Sequence, residues 1–114
     1  PDNTLDKILQ RLVQLRVSGA QARPLYKTAA NWKIEFSVNG LSDRYQVVLH
    51  ARIEGDQVTI LEAFLEWEVT GSQSGTTDAL RLDIPSIADL PWQDQLPILL
   101  GAAWGIAQDY TLHD

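Results

Sequence analysis

Few side chains in this sequence could carry out covalent or metal chemistry. The chain has no cysteine and two histidines, His50 and His113, which lie far apart. A zinc site uses cysteine, histidine and carboxylate ligands at characteristic spacings, and the sequence has no such spacing. It also has neither the EF-hand calcium loop nor a phosphate-binding glycine loop. We therefore expect no catalytic site, no metal site and no cofactor.

His50 is the only internal histidine, and histidine is the side chain most often used for general acid–base chemistry. It lies inside a predicted strand, on the face opposite Leu49. A general base needs an orienting carboxylate and a substrate hydroxyl nearby, and nothing close to His50 in the sequence supplies this pair. We interpret His50 as a partly exposed sheet residue. The alternative is a small enzyme or ligand-binding domain with a pocket between sheet and helices and His50 as its polar group.

Acidic side chains are concentrated in the stretch TILEAFLEWEVTG. Residues two positions apart on a strand share a face, so the carboxylates of Glu66 and Glu68 repel each other unless a cation lies between them. Arg44 and Arg52 on the neighbouring strand are the candidate cations within the chain. A basic partner is the alternative.

Four tryptophans are many for a chain of 114 residues. Trp32 and Trp104 are expected in the core. Trp67 lies on the acidic strand, and Trp92 follows a proline in LPWQD. An exposed aromatic ring beside acids is typical of protein-binding surfaces. We therefore predict one binding surface, which consists of Glu62, Glu66, Glu68, Trp67 and Trp92.

The net charge of −6 is unevenly distributed along the chain. Residues 1–53 hold eight Lys/Arg and four Asp/Glu, whereas residues 54–114 hold one Lys/Arg and eleven Asp/Glu. One interpretation is that the two halves pack together and partly neutralise each other. The other is an acidic surface that binds a basic partner. Either way, the acidic balance argues against nucleic acid or an anionic membrane as the partner.

Hydrophobic spacing predicts the elements that carry these residues. We expect a helix over 4–18, a loop over 20–31, and strands at 32–38, 44–54 and 57–70. In WKIEFSV the apolar and polar residues alternate strictly, as in a half-buried strand. A four-residue loop after that strand would pair Phe36 with Tyr45 and Ile34 with Val47. Gly55 and Asp56 predict a two-residue turn that places Ile53 opposite Val58 and Ala51 opposite Ile60.

The third predicted strand changes its apolar face after Ile60. A β-bulge near Leu61–Glu62 would turn Phe64 outward and place five residues on the core face: Leu61, Ala63, Leu65, Trp67 and Val69. Without a bulge, these residues need cover from a second layer or from another chain.

The carboxyl-terminal part predicts less regular structure. Residues 71–78 are expected to form a loop and 80–84 a short strand. Pro97 is expected to begin a helix to about Tyr110 that is apolar nearly all round and hence buried. A buried helix must be covered on more than one side, and a second copy of the chain could provide the cover that the sheet does not, which favours a homodimer.

These elements predict a single α+β domain over residues 1–114. It would be a two-layer sandwich with an N-terminal helix, a three- to four-stranded antiparallel meander and a buried C-terminal helix. The order resembles that of double-stranded RNA-binding domains. Those domains carry lysines at the start of the second helix, where this chain reads WQDQLPILL without a cation, so no RNA binding is expected.

The expected function is therefore non-catalytic. We expect a protein-binding module of the adaptor, assembly-factor, chaperone or inhibitor type that uses its acidic, tryptophan-containing surface. A further alternative is an acidic mimic of nucleic acid. The amino end lacks the layout of a signal peptide and the longest apolar run is too short to span a bilayer, so we expect a cytoplasmic protein.

Overall fold

Two long helices and five strands make up the described chain, which is residues 4–25, 30–42, 44–69 and 76–113 of a computed structural model. The helices are α1 (Thr4–Gln14) and α2 (Trp92–His113), and the strands are β1 (Val17–Pro24), β2 (Asn31–Val38), β3 (Tyr45–Glu54), β4 (Gln57–Glu68) and β5 (Thr77–Arg81). A short 3-10 helix, Pro85–Ile87, precedes α2. The strands form one antiparallel sheet in chain order. The predicted α+β class is confirmed.

β1 was not predicted, so the sheet has five strands instead of three or four. The segment VSGAQARP lacks apolar alternation, because at the sheet edge none of its side chains is fully buried. It pairs with β2 from Val17 opposite Val38 to Pro24 opposite Trp32. The register shifts between Ser18 and Gln21, where Gly19 has a φ of +65°. Glycine enters this region without the steric cost of a Cβ.

The predicted register between β2 and β3 is wrong by two residues. Phe36 lies opposite Val47 and Ile34 opposite Leu49. The connection is therefore longer than the expected four residues. An even shift leaves every side chain on the same face, so these four residues are still buried together.

The pairing of β3 with β4 confirms the two-residue turn and the bulge. Ile53 lies opposite Val58 and Ala51 opposite Ile60, as predicted. The register then shifts, and His50 lies opposite Glu62, which leaves Leu61 as the extra residue. A bulge of this kind places two residues opposite one and exchanges the two faces beyond it.

The bulge turns apolar residues of β4 toward the core, where the molecule itself covers them. Ala63 and Leu65 join the buried core, Trp67 packs against it, and Phe64 points to the opposite face. Leu61 does not join the core, and neither does Val69, which lies beyond the strand and is 38% exposed, so the prediction is wrong for these two residues. A second chain is therefore not needed to bury this row.

α2 begins at Trp92, five residues before the predicted start at Pro97. Leu96, Leu99, Ala103 and Ala107 project onto the sheet, and Ile8 and Leu12 of α1 complete the same core. Pro97 lies inside α2 and has no N–H to donate to the carbonyl oxygen of Gln93, four residues earlier. The Gln93 carbonyl oxygen accepts a hydrogen bond from Arg11 Nε at 3.2 Å instead.

The outward side of α2 is apolar but exposed. Ile98 and Trp104 are each 45% exposed, so the prediction of Trp104 as a core residue is wrong. The reason is helical geometry, because Trp104 is about 100° around the helix from buried Ala103. Within the described residues, no helix is long and apolar enough to cross a membrane.

β5 lies earlier than the predicted strand at 80–84. All five of its residues are exposed, because it forms the far edge of the sheet. Leu82, just past the strand, is buried and donates its N–H to the Ala63 carbonyl oxygen. Most of the loop predicted over 71–78 lies outside the described residues.

Candidate functional site

The sheet has one face directed away from both helices, and we call it the outer face. Strand alternation opposite the buried core positions assigns its side chains. They include Arg23 on β1; Lys33, Glu35 and Ser37 on β2; Gln46, Val48, His50 and Arg52 on β3; Glu62, Phe64, Glu66 and Glu68 on β4; and Thr77, Ala79 and Arg81 on β5. The predicted acids of β4 therefore share one face with residues of the four other strands.

One part of the outer face is a cluster centred on Glu62. His50 Nδ1 lies 3.1 Å from Glu62 Oε2, and Arg81 Nη2 lies 3.5 Å from Glu62 Oε1. The Phe64 ring contacts the His50 ring edge-on, and the Arg81 guanidinium lies above it. The expectation that no carboxylate lies beside His50 is wrong, because the bulge at Leu61 turns Glu62 toward it.

Glu35 forms a second neutralised group on the outer face. Arg23 Nη2 and Lys33 Nζ lie 3.1 and 3.7 Å from the same oxygen, Glu35 Oε1. Between the two groups, Val48 is only 2% exposed although no helix covers it. It lies opposite Glu35 on one side and Phe64 on the other, whose longer side chains shield it.

Glu66 and Glu68 differ from the other acids of the outer face. Neither forms an ion pair with a side chain in the described ranges 4–25, 30–42, 44–69 and 76–113. Two carboxylates at this strand spacing, about 7 Å apart, repel each other by roughly half a kcal/mol in water. Arg52, one of the predicted cations, lies opposite Thr59 near the start of β4.

The two acids line a groove with a volume of about 510 Å³. Its lining residues are Lys33, Glu35, Arg44, Gln46, Glu66, Trp67, Glu68 and Thr77. Arg44, the other predicted cation, thus lies in the same groove as the acids. Carboxylates beside the neutral side chains of Gln46 and Thr77 can accept hydrogen bonds from a lysine or arginine of a partner.

Trp67 is half-buried, and its ring packs within the molecule. Its centroid lies 6.4 Å from that of Tyr45 and 5.0 Å from that of Tyr110. These contacts hold the end of β4 against α2, and the residue also lines the groove. The structure therefore brings Glu66, Trp67 and Glu68 together.

Trp92 lies apart from the other predicted site residues. It lines a different concave region of about 370 Å³ with residues 56–60 around the start of β4. Glu66 lies six residues beyond Ile60, which is roughly 20 Å along a strand. The ring of Trp92 packs partly buried against the core. The five predicted residues thus occupy two separate regions of the molecule.

Several groove residues were not named as site residues from the sequence. Lys33 and Glu35 were predicted on the polar face of WKIEFSV, but only a five-stranded sheet shows which acids they approach. Gln46 has no chemical signature of its own. Thr77 fell within a predicted loop, so its place beside Glu68 could not be inferred.

The predicted alternatives place different demands on the site. His50 lies on the outer face, so a pocket between the sheet and the helices would not contain it. Among the described residues, no group of three histidines or carboxylates could hold a metal ion. An acidic mimic of nucleic acid would present a continuous row of negative charges in place of phosphates, whereas the outer face carries basic as well as acidic side chains.

Comparison of the chain with protein-family models, with curated proteins and with solved structures gives no match to any of them.

Proposed function

We propose that this chain is a non-catalytic protein-binding module whose acidic groove receives a basic segment of its partner. One observation carries the proposal. Glu35 and Glu62 each have two basic neighbours on the outer face, whereas Glu66 and Glu68 have no ion-pair partner among the described side chains. A lysine or arginine from a partner would relieve their mutual repulsion.

Long-range attraction would assist such binding. The second half of the chain carries eleven Asp/Glu against one Lys/Arg, so its field attracts a positively charged partner. Complementary charge raises the rate of association more than the final affinity. Trp67, which lines the same groove, would provide an apolar contact once the partner has arrived.

Charge reversal at the groove tests the proposal. We expect Glu66→Lys combined with Glu68→Lys to weaken binding of a basic partner by more than tenfold, because two attractions become repulsions. Glu54→Lys combined with Asp89→Lys is the control, since both residues are exposed and this pair changes the net charge equally. Partners captured by each variant would be compared by quantitative mass spectrometry.

The binding site itself is tested by a photo-crosslinking residue at Gln46, in the groove, and one at Gln10, on exposed α1. We expect the partner to be cross-linked from Gln46 and not from Gln10. Equal capture by both charge variants, or cross-links from Gln10 alone, would remove the basis of the proposal.

A small enzyme is the second candidate, and one contact favours it. Glu62 holds His50 Nδ1 at 3.1 Å, an arrangement that orients the other ring nitrogen for proton transfer. His50→Asn would abolish function in that case and leave partner binding unchanged. If His50→Asn behaves as the wild type in both respects, the enzyme candidate is excluded.

We further propose that the chain is a homodimer, as the apolar character of α2 suggested. What supports this is the outward side of α2, where Ile98 and Trp104 are exposed. The helix carries no charged residue from Gln95 to Gln108, so two copies could meet along it without repulsion between like charges. Exposed Gly101 and Gly105 would permit close approach of the two backbones.

A further inference from the structure

The two edges of the sheet differ in how well they could accept another strand. β1 carries a register shift at Gly19, ends at Pro24 and contacts α1. Bulges, prolines and covering elements are the usual means by which proteins prevent strand addition at an edge. β5 keeps a continuous register over its five residues and contains neither proline nor glycine. It is therefore the more open edge.

Hydrogen bonds show which main-chain groups of β5 point outward. The Thr76 carbonyl oxygen accepts from Val69 N–H, and Leu82 N–H donates to the Ala63 carbonyl oxygen, so even-numbered positions face β4. By alternation, the N–H and C=O groups of Thr77, Ala79 and Arg81 point away from β4. In the described chain no strand pairs with this side of β5.

The side chains next to this edge favour a particular partner strand. On the outer face, Thr77 lies opposite Glu68 and Ala79 opposite Glu66. Both β5 side chains are small, so a long basic side chain on an added strand could reach over them to the acids. On the other face of β5, Leu80 is 37% exposed and offers an apolar contact.

We propose that β5 binds an extended segment of the partner as an antiparallel sixth strand in which basic and apolar residues alternate. The alternation follows from strand geometry, because the basic residues must face Glu66 and Glu68 and the apolar ones Leu80. Main-chain hydrogen bonds supply affinity and the side chains supply specificity, as in other cases of strand addition. This inference rests on the proposed function, since it uses the same acids.

One local contact competes with the added strand. Ala79 N–H donates to Asp78 Oδ1 at 3.2 Å, so a carboxylate of β5 itself occupies the donor at the centre of the edge. The incoming strand must replace this bond with one from its own carbonyl oxygen. The Asp78 carboxylate and the incoming carbonyl oxygen each accept one hydrogen bond from the Ala79 N–H, so replacing one with the other changes the free energy little. The further hydrogen bonds along the edge then favour the added strand.

The probe is the synthetic peptide KVKVKVK with blocked ends, compared with KKKKVVV of equal composition and charge. We expect KVKVKVK to bind at least tenfold more tightly in titration calorimetry, because only it presents lysines to one face. NMR shifts on binding should include the amides of Thr77, Ala79 and Arg81. Equal affinity of the two peptides would overturn the strand arrangement.

Ala79→Pro tests the edge without disturbing the groove. Its N–H points away from β4, so proline removes the edge donor but keeps the pairing with β4. We expect about a tenfold loss of KVKVKVK affinity, and Ala79→Ser, which keeps the N–H, should bind as the wild type. Equal thermal unfolding of the two variants would show that β5 is intact.

Modified peptides provide a test in which the protein is unchanged. In an antiparallel arrangement the main-chain N–H groups of the lysines face β5, and those of the valines face solvent. N-methylation of the lysine amides should therefore abolish binding, whereas N-methylation of the valine amides should leave binding unchanged. If Glu66→Lys with Glu68→Lys weakens binding but Ala79→Pro and N-methylation do not, strand addition is overturned and the groove proposal stands. If the charge reversal also has no effect, both are overturned.

Discussion

At the scale of single residues, Arg11 donates a hydrogen bond that a main-chain amide normally donates within a helix. Pro97 lies inside α2 and cannot donate to the Gln93 carbonyl oxygen, which accepts from Arg11 Nε instead. The bond links α1 to α2. Arg11 also donates to Gln14 Oε1 at 3.3 Å, which fixes its side chain along α1.

A double-mutant cycle would measure this contact. We expect Arg11→Met to lower the free energy of unfolding by about 0.5 kcal/mol, because the exposed Gln93 carbonyl oxygen exchanges its protein donor for water. In a Pro97→Ala background the loss should be smaller, since the alanine amide supplies the missing N–H. Urea denaturation gives each value, and Lys7→Met is the control for loss of an exposed cation on α1. Equal losses in both backgrounds would contradict this account.

At the scale of elements, the bulge of β4 determines which side chains form the site. With Leu61 as the extra residue, Ile60 and Ala63 both face the core and Glu62 faces His50. Removal of Leu61 would leave all of these pairings in place in a regular ladder. Removal of a residue beyond the bulge, such as Glu66, would turn Trp67 away from Tyr45 and Tyr110.

The two deletions should therefore differ in cost. We expect deletion of Leu61 to lower the free energy of unfolding by about 2 kcal/mol or less, the range of ordinary single changes. Deletion of Glu66 should cost about 3 kcal/mol or more, since the half-buried Trp67 ring would lose its packing against Tyr45, Tyr110 and the core. Chemical denaturation monitored by tryptophan fluorescence compares them. Deletions of equal cost would show that Leu61 is not the residue that the bulge adds.

How far the sequence predicted these elements depended on burial. β2 was predicted because WKIEFSV is buried on one face only, which leaves strict alternation. β1 was not, because its side chains are exposed or half-buried on both faces. The register of β2 with β3 depended on a loop length that hydrophobic pattern does not encode. For β2 and β3, the hydrophobic pattern therefore predicted the correct faces but not the correct pairing partners.

The candidate site was predictable only in part for the same reason. The acids of β4 were identified from their spacing alone. Which of them remain without an ion pair depends on the bulge, which joins Glu62 to His50, and on β5, which contributes Arg81. The contacts of Glu62 with His50 and with Arg81 do not follow from the sequence, because each joins two strands whose register the sequence pattern does not encode. Trp92 was grouped with the acids by composition, and the length of β4 separates them.

At the scale of the whole molecule, the charges of the two halves are only partly combined. The ion pairs of Glu35 lie within the first half, and that of Arg81 with Glu62 lies within the second. His50 with Glu62 joins the halves. Much of the negative charge of residues 54–114 therefore stays on the surface. Two such molecules repel each other unless they meet along an uncharged surface.

α2 offers such a surface, and the oligomeric state tests whether it is used. We expect light scattering after size exclusion to give about twice 12.7 kDa at low and at high salt, because the contact is apolar. A standard interface buries about 800 Å² on each partner, more than one helix face provides, so the dimer should dissociate on dilution. Ile98 and Ala102 are exposed positions one turn apart on α2, and Ile98→Glu with Ala102→Glu should give a monomer at every concentration. Val13→Glu, at an exposed apolar residue on α1, should not. A wild-type monomer throughout would leave the groove and the β5 edge as the surfaces for a different protein, since the bulge already buries the apolar row of β4 within one chain.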